Sequence, residues 1–188
     1  MMPLEKTVRR TTVAAMRPLN ALPALLALAL SNALAAPPLP APVRAVIDEM
    51  KAECRSSGGK PGASPGLLSQ VDLNGDGRAD YVIDAAAFEC EGAASLFTGS
   101  GGSSVQVFAA TADGSAAPVF EHGAMGSRVE QGELWLAVGG PLCGQKVTDT
   151  TPHSEMQACW RPLRWNAGRR TLDFAPLSRA RPFKPVGA

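Results

Sequence analysis

Aromatic side chains are scarce, with six Phe, three Trp and one Tyr among 188 residues. Leu, Ile, Val and Phe are also sparse beyond position 35, so the hydrophobic core must be thin and a single domain is the economical outcome. Long apolar runs are missing after the first 35 residues, which excludes a helical membrane span in that part of the chain. Net charge is nearly absent as well. The formal +1 becomes −2 once Lys6, Arg9, Arg10, Arg17 and Glu5 are set aside, too little positive charge for general nucleic-acid binding. No cysteines stand at C-x-x-C spacing, and neither of the two histidines, His122 and His153, lies at ligand spacing to a cysteine, so zinc is disfavoured. The Gly99–Ser104 run has no P-loop lysine and no G-x-S-x-G frame, and reads as a loop.

The beginning of the chain has the layout of a cleaved export leader over residues 1–35. Basic residues run up to Arg17, Ala21 to Leu30 form a short apolar core, and Ala33-Leu34-Ala35 puts small residues at the cleavage positions. That core is too short for the roughly 20 residues a bilayer requires. The expected place is the periplasm or the cell exterior. A single globular domain over 36–177 and a flexible tail over 178–188 follow. The cysteines, Cys54, Cys90, Cys143 and Cys159, all lie beyond the leader, and an even number in an exported chain reads as disulfides. Four cysteines allow three pairings. The favoured one joins Cys143 to Cys159, the nearest in sequence, and leaves Cys54 with Cys90.

Val43, Val46, Ile47, Met50 and Cys54 form one apolar stripe at helical spacing, and Gly58-Gly59 supplies a stop. Downstream the period becomes strand-like. Strands are expected at Tyr81–Ile83, extended through Phe88, at Val105–Phe108, from Val119, at Leu134–Val138, at Cys159–Trp165 and at Leu172–Phe174. Asp113-Gly114, Gln131-Gly132 and Asn166–Gly168 are turn signals. Pro162 should confine its strand to a sheet edge. The fold class is therefore α+β: one N-terminal helix on a mainly antiparallel sheet or small β-sandwich, stapled by disulfides.

One segment carries chemistry. In Asp72-Leu73-Asn74-Gly75-Asp76-Gly77-Arg78-Ala79-Asp80, oxygen-bearing side chains occupy positions 1, 3, 5 and 9, with glycine at position 6 for the sharp turn. This spacing suits Ca²⁺, with the backbone carbonyl of Arg78 at position 7 as a further ligand. Position 12 is Ile83, not the bidentate glutamate of an EF-hand, and a strand follows instead of a helix. Asn-Gly-Asp-Gly is also a good turn sequence, and an acidic turn that binds nothing is the competing reading.

D-x-N-G-D-G-x-x-D followed by an apolar β run resembles the calcium loop of FG-GAP/VCBS repeats, the blades of propellers such as the integrin α-subunit head. The resemblance spans Val71 to Ala85. It implies that Asp72, Asn74, Asp76 and Asp80 ligate Ca²⁺ and that the ion is mainly structural. The motif occurs once, whereas a propeller needs several blades, so neither that fold nor adhesion is implied. The chain also resembles small exported bacterial proteins of unknown function that share this loop. With no glutamate at position 12, affinity should be low, about 10⁻⁴–10⁻³ M.

Charge is distributed unevenly. Residues 36–155 hold seven basic and fifteen acidic side chains, whereas 156–188 hold seven basic and one acidic. The two regions can neutralise each other internally. Alternatively, Arg161, Arg164, Arg169 and Arg170 of a basic C-terminal hairpin dock on an anionic envelope surface or an acidic protein. His122 and His153 lack an adjacent catalytic pattern. Trp135, Trp160 and Trp165 read as core fillers before they read as a ligand platform. The expected function is an exported, non-enzymatic binding or structural module with a weak Ca²⁺ site. A secreted inhibitor or envelope-interaction protein and a small hydrolase are the alternatives.

Overall fold

The computed structural model describes residues 38–183, so the leader and residues 184–188 lie outside the described residues. Helix α1 spans Ala41–Ser56, with proline in its first turn, where a missing N–H is harmless. It buries Val43, Ile47, Met50 and Cys54, four residues of the predicted stripe. It ends in a Schellman closure: Gly59 N–H donates to the Cys54 carbonyl (2.9 Å) and Gly58 N–H to Arg55 (3.0 Å). Gly58 takes φ +80°, where a side chain would be strained.

Eleven strands follow: β1 (Lys60–Pro61), β2 (Leu68–Val71), β3 (Asp80–Asp84), β4 (Cys90–Glu91), β5 (Ser103–Ala110), β6 (Ala116–Ala124), β7 (Gly126–Glu130), β8 (Glu133–Gly139), β9 (Ala158–Asn166), β10 (Thr171–Phe174) and β11 (Arg181–Pro182). One antiparallel sheet has the order β2-β3-β5-β6, and the other runs β10-β9-β8-β7 with β11 also on β9. Strands β1 and β4 form a small separate ladder.

Alternation along β3 explains the layering. Ile83 packs with Val43, Ile47, Met50 and Phe108 on the helix side. Val82, on the opposite face, packs with Val105, Val107, Leu134, Leu136 and Leu163 between the sheets. The class is α+β, a helix laid on one face of a two-sheet sandwich. The two disulfides are Cys54–Cys90 and Cys143–Cys159, with Cα–Cα distances of 5.8 and 5.7 Å. They close loops of 36 and 16 residues, worth about 4 and about 3 kcal/mol in the loop-entropy account. No cysteine is free, the state expected in an oxidising compartment. Among the described residues no helix is long and apolar enough to cross a membrane.

Three expectations are corrected. Residues 85–87 do not extend β3. They turn as a short 3₁₀ segment, capped by the Asp84 carboxylate accepting from Ala86 N–H (2.9 Å). Pro162 does not mark an edge, because β9 lies between β8 and the β10/β11 side. The proline is tolerated because β11 pairs with 159–160 and β10 with 163–166, leaving position 162 between them. The tail is not loose from 178 to 183. Leu177–Arg179 form a 3₁₀ turn, and Arg181 and Pro182 pair with Trp160 and Cys159.

Candidate functional site

Strands β2 and β3 pair down to Val71 opposite Asp80, and that last pair closes the 72–79 connection. The path needs left-handed backbone at Gly75 (φ +79°) and Gly77 (φ +82°), which only glycine adopts without strain. Loop side chains then bind loop backbone. Asp72 Oδ1 accepts from Gly75 N–H (2.7 Å) and its Oδ2 from Gly77 N–H (2.9 Å). The Gly77 bond foremost holds the Asp72 carboxyl below its usual range. Asn74 Oδ1 accepts from Asp76 N–H (2.9 Å). Asp76 accepts both the Arg78 N–H (2.8 Å) and its guanidinium (2.7 Å).

Asp80 differs from the other three. It is 1% exposed, fully inside the fold. Its Oδ2 accepts from Leu73 N–H (2.9 Å), while Oδ1 accepts from Ala110 N–H at the end of β5 (2.9 Å) and from the Asn74 amide (3.4 Å). One carboxylate thus ties the loop to two strands. Burial pushes its pKa up against those hydrogen bonds, and the nearby Asp76 and Asp72 charges add to the rise.

In kind, three carboxylates and an amide oxygen fit a hard cation. In placement, no three His, Cys, Asp or Glu groups among the described residues stand close enough to hold a metal. The loop oxygens face backbone N–H groups, the arrangement of an Asx-rich turn. Beside the loop lies a cleft of about 740 Å³, walled by Asn74, Asp76, Arg78, Trp165 and Arg170 with the ends of β5 and β6. Sequence reading missed this cleft, since its walls come from positions nearly a hundred residues apart.

The basic C-terminal residues are mostly engaged. Arg161, expected on the surface, is 6% exposed. The alternation that buries Leu163 also turns Arg161 inward, and its guanidinium donates to the Leu142 and Ala175 carbonyls. Arg169 pairs with Asp173, Arg179 with Glu133 (2.8 Å) and Arg181 with Glu130 (2.9 Å). Trp135 is buried under Arg181, whose guanidinium lies 4.0 Å from the ring centroid, and Trp160 lies under Arg128 at 4.2 Å. Only Trp165 of the three tryptophans borders the cleft. Compared with family models, curated proteins and solved structures, the chain matches none of them.

Proposed function

We propose that this protein is an exported, non-enzymatic binding or structural module of the periplasm or cell exterior, with a loop at Asp72–Asp80 that takes Ca²⁺ weakly and mainly for stability. The observation that carries this reading is Asp80: a buried carboxylate, next to two further carboxylates, fastening the loop to β3 and β5. Charge repulsion across Asp72, Asp76 and Asp80 disfavours the loop without a cation. Asp72, Asn74, Asp76, Asp80 and the Arg78 carbonyl are the proposed ligands, water completing the shell. Two disulfides support the compartment. The adjoining cleft gives a binding module a place to act.

Thermal melts in EDTA and in about 10 mM CaCl₂, roughly ten times the weak end of the expected range, test the reading. Binding to the folded loop alone adds about 1.4 kcal/mol at ten times Kd, a few degrees for a domain of this size. Mg²⁺ should give less, because it sheds water reluctantly. Asp76→Ala should remove the calcium response while leaving the EDTA melt nearly unchanged. Coincident wild-type melts would reduce the loop to a turn.

A further inference from the structure

We infer that the chain carries a second, soft-metal site, built from Met125, Met156 and His122, that binds monovalent copper. These three side chains line one cavity of about 210 Å³ between the end of β6, the end of β8 and the segment before β9. Both methionine side chains lie against the glycine pair Gly139-Gly140. A Cβ built on Gly139 would stand 3.8 Å from both Met125 Cε and Met156 Cβ, and one built on Gly140 would stand 3.3 Å from Met156 Sδ. Met125 is one of three large apolar side chains exposed among the described residues, at 41%.

The histidine is set for ligation. Its Nδ1 lies 2.5 Å from the Gly123 carbonyl. A carbonyl only accepts, so in the neutral ring this contact places the proton on Nδ1 and the lone pair on Nε2. No group among the described residues bonds Nε2. Phe120, stacked at 6.2 Å, and Phe174, edge-on at 5.1 Å, fix the ring. An imidazole oriented through its other nitrogen is the usual state of a metal-bound histidine.

The donor set selects the metal. Two thioethers and one imidazole suit Cu(I), and no carboxylate lines the cavity to favour Ca²⁺, Mg²⁺ or Mn²⁺. Thiolate, the competing soft ligand, is gone, because all four cysteines are oxidised in disulfides. In an oxidising compartment a thioether remains available where a thiolate does not.

The test uses the purified, disulfide-intact protein. Ag⁺, a redox-inert stand-in, is titrated under native mass spectrometry, and Cu(I) is competed anaerobically against a chromophoric chelator. One equivalent of each should bind. Met125→Leu, Met156→Leu and His122→Asn should each weaken binding by about tenfold or more, the order lost even for outer-shell partners of a metal. Met50→Leu, in the helix core, should not. Methionine-to-leucine changes keep volume, so melts should hold. Methyl NMR of the wild type guards against a variant that misfolds: Ag⁺ should shift the Met125 and Met156 ε-methyl signals and leave Met50 in place. Absence of uptake, unshifted Met125 and Met156 methyls, or wild-type uptake by the Met125→Leu/Met156→Leu double variant would each overturn the site.

Discussion

Arg161 is a buried cation with no carboxylate partner among the described residues, and its position follows from Pro162. The Pro162 carbonyl accepts from Ala175 N–H (2.9 Å). In an extended strand the nitrogen of a residue faces the same way as its carbonyl, so the missing proline N–H leaves the Ala175 carbonyl without its ladder donor. The Arg161 guanidinium supplies that donor and a second one to Leu142. Its Nε has no partner, and burial lowers its pKa. Arg161→Ala should therefore cost about 2–4 kcal/mol in urea denaturation, from two orphaned carbonyls and a cavity, whereas exposed Arg164→Ala should move the midpoint little. A docking residue would behave in the opposite way, with no stability change. The inward turn of Arg161 was legible in the sequence: Cys159, Arg161 and Leu163 share one face of an alternating strand. Charge type obscured it, because an arginine inside is uncommon.

At the scale of elements, the helix, its stop, six strand centres and the turn at Gln131-Gly132 were readable, since each rests on local periodicity or turn chemistry. Gln131 (φ +54°) and Gly132 (φ +79°) form the left-handed pair that a tight hairpin requires. Strands β1, β2, β4 and β11 were not readable. They are two to four residues long and exist because a distant partner strand offers hydrogen bonds. The C-terminal segment is the instructive case. Ser178–Phe183 has loop composition, yet Arg179 and Arg181 cross to Glu133 and Glu130, and Arg181 lies over Trp135. Exposed ion pairs contribute little. The cover by Arg181 over Trp135 and by Phe183 beside Trp160, ring centroids 5.5 Å apart, contributes more, through cation–π contact and area removed from water. Ending the chain after Ala180 should lower stability by about 1–3 kcal/mol and shift tryptophan emission to the red. An unchanged spectrum would mean that the segment does not cover the sheet.

For the molecule as a whole, Arg179 and Arg181 of the C-terminal segment pair with Glu133 and Glu130 of the body, and a set of carboxylates with depressed pKa values shapes the response to acid. Glu133 is held below its usual range chiefly by Arg179, Asp173 by Asn166 and then Arg169, Asp72 by Gly77 N–H, and Asp113 by the Thr111 hydroxyl. Their folded values lie below the unfolded ones. The stability they lend is present above about pH 4 and is lost as pH falls through the depressed values. Asp80 has the opposite sign. Its folded value lies above the unfolded one because of burial, so the folded state holds the extra proton, and stability falls as pH rises from about 4 through the raised value. In EDTA the wild type should therefore be most stable just above about pH 4 and decline on both sides. Asp80→Asn should keep the acid-side decline and lose the upper one. It should also start from lower stability, because an amide presents N–H where Leu73 or Ala110 needs an acceptor. Ca²⁺, which requires the ionised carboxylate, should offset the upper decline in the wild type alone. Denaturation free energies measured across pH 3–7, a proposed span of about four units around the carboxylate range, check each part. Superimposable profile shapes for wild type and Asp80→Asn would show that the buried carboxylate does not govern the loop.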